Sequence, residues 1–157
     1  MRCKKNILGF SVIELLAVIA VVSIVLLIGI PSLSHFSESA GLRTECDTLS
    51  AVLKLAQQEA VSQQYNHIVR FDTDQNQWTL IREEPDVSNP DVVTETEVQK
   101  RKLKQGISIK EINGFENYQA EFIPFGAVSN AGSVILENNA EKQCVISVSP
   151  AGFVKKE

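Results

Sequence analysis

Glu14 is a carboxylate inside an apolar run: from Phe10 to Ile30 the chain otherwise holds only apolar residues, glycine, Ser11, Ser23 and the bulk of a long Leu/Ile/Val stretch. At the middle of a bilayer such a charge costs about 2.5–3.5 kcal/mol, and less near an end. A plain anchor has no use for it, so Glu14 asks for a cationic partner. Four residues earlier the chain passes from Gly9 to Phe10, directly after a segment that carries Arg2, Lys4 and Lys5 and no acid.

Other residues that could do chemistry are scattered. Cys46 and Cys144 follow the apolar run, while Cys3 precedes it. In an oxidising compartment Cys46 and Cys144 are a possible disulfide, although spacing alone does not bring them together, and Cys46 serves equally as a small buried apolar residue. Asp72, Asp74, Asn76 and Glu83 have the spacing of a calcium loop, but Gln77 stands where that loop needs glycine, so a polar hairpin turn is the expectation. No zinc-type spacing of cysteine and histidine is present, and no metal or other cofactor is expected. His35 and His67 have no nucleophile or ligand beside them and read as ordinary surface or rod residues. Without a Ser/His/Asp set, a phosphate loop or a spaced carboxylate pair, no enzyme is expected.

The elements that must position these residues are more legible. Residues 10–30 are 21 in number, or about 31 Å of helix, matching the hydrocarbon core of a membrane. Arg2, Lys4 and Lys5 before them, against Glu38, Arg43, Glu45 and Asp47 after them, place the N-terminus in the cytoplasm. A cleaved secretory signal fits less well: the run is too long, and residues 30–33 lack a small-x-small site. Beyond Pro31, residues Leu42, Cys46, Leu49, Leu53, Ala56 and Ala60 recur at four- and three-residue steps, one stripe of a helix extending to about residue 62. Arg43, Glu45, Asp47, Lys54, Gln57 and Glu59 fall off it and are expected in water. The Gly29/Pro31 pair is where this helix would weaken or kink.

From residue 63 the pattern changes to short β-branched and aromatic runs between turn residues: 65–71, 77–82, 107–112, 118–123, 133–136 and 144–148. The acidic, proline-bearing stretch 83–97 reads as a mobile loop. The expected fold is α+β: a long N-terminal helix, half transmembrane and half amphipathic, on an antiparallel β-sheet or β-sandwich. The segments are 1–9, 10–30, 31–62 and 63–157.

Charge narrows the function. The net charge is −4, and without residues 1–9 the bases fall from 15 to 12 against 19 acids, a net of −7. Phosphate-backbone affinity comes from Lys and Arg. Here the only clusters are Lys100-Arg101-Lys102-x-Lys104 and Lys155-Lys156, so a solvated charged face is expected and nucleic acid is not.

The run Gly9-Phe10-Ser11-Val12-Ile13-Glu14-Leu15-Leu16 resembles the class III signal of type IV prepilins. The pieces Leu53–Val61, Phe122-Ile-Pro-Phe-Gly126, Gly132–Leu136 and Val145–Gly152 resemble the GspH/FimT group of minor pilins, with Gln57 where that group often has arginine. The resemblance implies cleavage by a prepilin peptidase after Gly9, removing residues 1–9 as a cytoplasmic leader, and N-methylation of Phe10. It assigns Glu14 to pairing with the Phe10 ammonium of a neighbouring subunit. It further implies a single-pass inner-membrane protein with a periplasmic β-rich domain, able to enter a filament with other pilins or pseudopilins. The function implied is a minor pseudopilin or pilin-like subunit of a type II secretion system or type IV pilus, helping to initiate or cap the filament. The alternative within the same frame is a DNA-binding minor pilin of natural transformation. That subgroup places arginines after a glycine, and Gly152-Phe153-Val154-Lys155-Lys156 has none.

Overall fold

The computed structural model describes residues 11–86 and 92–157; within its long helix, the side chains of residues 26–37 lie outside that description. Gly9 and Phe10 lie outside it too. The chain divides into two units, Met1–Ser37 and Glu38–Glu157.

Helix α1 spans Val12–Gln63 and is unbroken through Gly29 and Pro31. Its first turn is set by Ser11, whose carbonyl accepts from the amides of Glu14 and Leu15. In the first unit, Val12, Ile13, Leu15, Leu16, Val18, Ile19, Val21, Val22, Ile24 and Val25 are all exposed. A helix apolar on every side needs a lipid or protein covering. Among the described residues no helix is long and apolar enough to cross a membrane.

In the second unit the same helix changes character. All six residues of the expected stripe are buried, Leu42 and Leu49 nearly so and Cys46, Leu53, Ala56 and Ala60 completely. Val52 joins them. Burying each leucine contributes about 1.5–3 kcal/mol, and the small Ala56 and Ala60 let the helix lie close to the sheets.

The strands are β1 (His67–Asp72), β2 (Gln77–Pro85), β3 (Val93–Lys102), β4 (Ile107–Asn113), β5 (Gln119–Phe122), β6 (Gly132–Asn138), β7 (Gln143–Val148) and β8 (Val154–Lys156). They form two four-stranded antiparallel sheets, ordered β3-β2-β1-β5 and β4-β6-β7-β8. Alternation decides which side chains enter the core. Val134 and Leu136 of β6, and Cys144, Ile146 and Val148 of β7, meet the helix stripe in one cluster with Val69, Phe71, Trp78 and Leu80 of the other sheet.

Of the expected loop at 83–97, residues 87–91 lie outside the described residues, and most of the rest is strand. β2 runs to Pro85 and β3 starts at Val93, in register Glu83↔Glu95 and Pro85↔Val93. Every β3 residue from Val93 to Lys100 is exposed, so neither face imposes an apolar period and the charge-rich strand reads as loop. The short β8, held against β7, is hidden for the same reason.

Candidate functional site

Glu14 is exposed in the first turn of α1, where the helix dipole favours a carboxylate. Its surroundings are the apolar circumference of the first unit. A carboxylate there stays in water or meets a cation supplied from outside the chain.

In the second unit the structure brings Cys46 of α1 to Cys144 of β7, 98 residues away in sequence, as a disulfide with Cα atoms 6.6 Å apart. Both positions are buried, so helix and second sheet are joined at their shared core.

Three residues that sequence reasoning placed in water or at the surface are structural. Glu45, expected off the stripe, is fully buried, and one of its carboxylate oxygens accepts from Arg101 Nη2 at 2.9 Å. The reason is β3: Arg101 lies opposite Trp78 and reaches inward over the helix, so a charge is needed beneath it. Gln57 is half-buried, and its Nε2 donates to the Gly126 carbonyl at 2.7 Å. His67 is fully buried at the start of β1, with Nδ1 3.1 Å from the Tyr65 carbonyl oxygen and Nε2 3.4 Å from the Glu59 carboxylate. Arg43, Asp47 and Lys54 are exposed as expected.

The calcium-like spacing is used by a turn. Asp72 accepts from the Gln75 amide at 2.9 Å and from Gln77 Nε2 at 3.0 Å, and the Gln75 bond first of all holds its carboxyl below the usual value. Asn76 takes a positive φ of 48° and accepts from the Ile109 amide at 3.2 Å. Among the described residues no group of three or more His, Cys, Asp or Glu could hold a metal.

The basic clusters are partly neutralised by ion pairs. Lys100, Arg101 and Lys102 sit on β3, with Arg101 turned to Glu45. Lys155 pairs with Glu157, and Lys156 pairs with Asp47; that contact, before all others, lowers the Asp47 carboxyl.

Several turns depend on glycine. Gly126 and Gly152 have φ of +80° and +82°, and a Cβ on Gly152 would lie 2.0 Å from the Gly126 carbonyl oxygen and 2.4 Å from Gln57 Nε2. These two glycines end the pieces 122–126 and 145–152, so side-chain volume is excluded where those turns touch each other and the helix.

A sequence profile described as type II transport protein GspH matches residues 45–152. No curated protein matches the chain by sequence. Among solved structures, the minor pseudopilin EpsH from the type 2 secretion system of Vibrio cholerae is similar at a TM-score of 0.59 and 14% identity, covering 74% of this chain and 95% of that one. The type IV minor pilin FimU of Pseudomonas aeruginosa is similar at 0.57 and 18%, covering 78% and 92%. At such identity the likeness is one of fold.

Proposed function

The chain belongs to the GspH family of type II transport proteins, and on that premise we propose that it is a minor pseudopilin or pilin-like structural subunit, anchored in the inner membrane and built into a periplasmic filament. One observation carries this reading. A single helix, α1, buries a stripe in the β-rich unit from Leu42 onward, yet over residues 12–25 it exposes apolar side chains around its whole circumference. Such a surface suits lipid before assembly and other subunits' helices after it.

In this reading residues 1–9 are removed by the prepilin peptidase and Phe10 is methylated. Glu14 then offers its carboxylate to the Phe10 ammonium of a neighbouring subunit, since a charge in an apolar setting is tolerated when paired and costly when alone. The other pilins are the partners, and the chain is a substrate of an enzyme rather than one itself. Mass spectrometry of the membrane-extracted protein tests the reading directly. An N-terminal methylated Phe10 is expected; an intact Met1, or a cut beyond Pro31, overturns it.

A further inference from the structure

Strand β3 forms one edge of its sheet, so one side of its backbone presents unpaired N–H and C=O groups. Its pairing with β2 is interrupted once: Leu80 lies opposite Gln99, and Ile81 opposite Glu97. Val98 is therefore the extra residue of a β-bulge. Successive residues of β2 point to opposite faces, so Gln99 and Glu97, two apart on β3, do so as well. Gln77, Thr79, Ile81 and Glu83 share one face, and opposite them stand Lys102, Lys100, Glu97 and Glu95. The salt bridge from Arg70 to Glu95 fits this placement, because Arg70 lies opposite Thr79. The bulge thus gathers two acids and two lysines into one row with the order acid, acid, base, base. Without it, the acids and the lysines would fall on opposite faces.

That row is self-complementary. We propose that the β3 edge pairs with the β3 edge of a second copy of this chain, antiparallel and about a two-fold axis near Val98 and Gln99. Glu97 then faces Lys100 of the second copy and Glu95 faces its Lys102, and the symmetry repeats both contacts. Four cross-strand pairs of opposite sign result, whereas a parallel pairing would set acid on acid and lysine on lysine. Thr96 faces Arg101, whose bond to Glu45 is on the other face and is undisturbed. Glu97, Lys100 and Lys102 take part in no salt bridge among the described residues and are exposed; Glu95 already holds Arg70 and is shared with the incoming Lys102. This contact between copies is additional to filament entry and does not depend on it.

The test is the mass of the full-length, detergent-solubilised chain across a dilution series, by light scattering or sedimentation. The parent is expected to dimerise, less so as salt rises. Glu97→Lys and Lys100→Glu each place like charges opposite one another twice and should weaken the dimer about tenfold. The double variant Glu97→Lys/Lys100→Glu should return to the parental affinity, and an equimolar mixture of the two single variants should associate as tightly as the parent. A parent that stays monomeric, or single variants that associate as the parent does, overturns the proposal. Either result would leave the bulge and lysines of β3 as guards against edge pairing.

Discussion

Gln57 of the helix donates to the carbonyl of Gly126 at 2.7 Å, and the same amide group lies 3.5 Å from the carbonyl of Ala151. One helix side chain therefore spans the turn after β5 and the turn between β7 and β8. Replacing Gly152 with alanine should be severe, since φ is +82° and the new methyl meets Gly126 O and Gln57 Nε2. A loss of roughly 2–3 kcal/mol is expected in thermal or denaturant unfolding of the solubilised chain. Gln57→Ala leaves the backbone unstrained and should cost about 1–2 kcal/mol. Equal effects of the two substitutions would contradict this division.

Arg101 covers a carboxylate that has no other charged partner among the described residues. Glu45 is fully buried while the Arg101 side chain is 36% exposed. Arg101→Ala should therefore cost about 2–3 kcal/mol, mostly through the stranded charge of Glu45. Adding Glu45→Gln to that variant should recover part of the loss, because the neutral amide needs no cation. A double variant no better than Arg101→Ala would show that the pair acts through packing instead.

Cys46 and Cys144 close a loop of 98 residues in sequence. Loops of this length gain much from a cross-link, and reduction should lower stability by about 2–5 kcal/mol. Thiol labelling of the unfolded, unreduced protein should find neither cysteine free. Two reactive thiols would rule the bond out.

Glu14→Ala should separate insertion from assembly. The change makes residues 10–30 more apolar, so the variant should remain in the membrane and be processed at Phe10. If the proposed pairing holds, it should nevertheless fail to enter filaments, because the Phe10 ammonium would lose its partner. Normal filament entry, read by co-purification with the other subunits, would show that no such partner is needed.

Acid should weaken the β-rich unit gradually. Lys110 before all else lowers Glu137, and Arg70 lowers Glu95, both from an ordinary 4.5; Lys156 and the Gln75 amide lower Asp47 and Asp72 from 3.8. A carboxylate held below its ordinary value contributes stability that is fully present above that value and lost as pH falls through the lowered one. The melting temperature should therefore be flat down to about pH 4.5 and decline below it. Asp47 and Glu95 are exposed and Asp72 and Glu137 partly so, and solvent screening keeps each contribution small. A decline that begins near neutrality would contradict this.

Sequence by itself determined the parts that rest on local chemistry. The apolar run, the Glu14 anomaly and the Leu42–Ala60 stripe follow from residue type and helical period, and six of the eight strands among the described residues show β-branched or aromatic runs between turn residues. Those signals are local because a helix face or a half-buried strand imposes its own spacing. Tertiary structure alone decided what depends on residues far apart. Glu45 looks like a wet position until Arg101, 56 residues on, is folded over it. Gln57 looks like a surface amide until two glycine turns arrive, and His67 like a surface residue until Glu59 and Tyr65 enclose it. Strand β3 carries no apolar period because neither of its faces is buried, so only its pairing with β2 makes it a strand. Its Val98 bulge, which sets the charges of Glu95, Glu97, Lys100 and Lys102 on one face, exists only in that pairing.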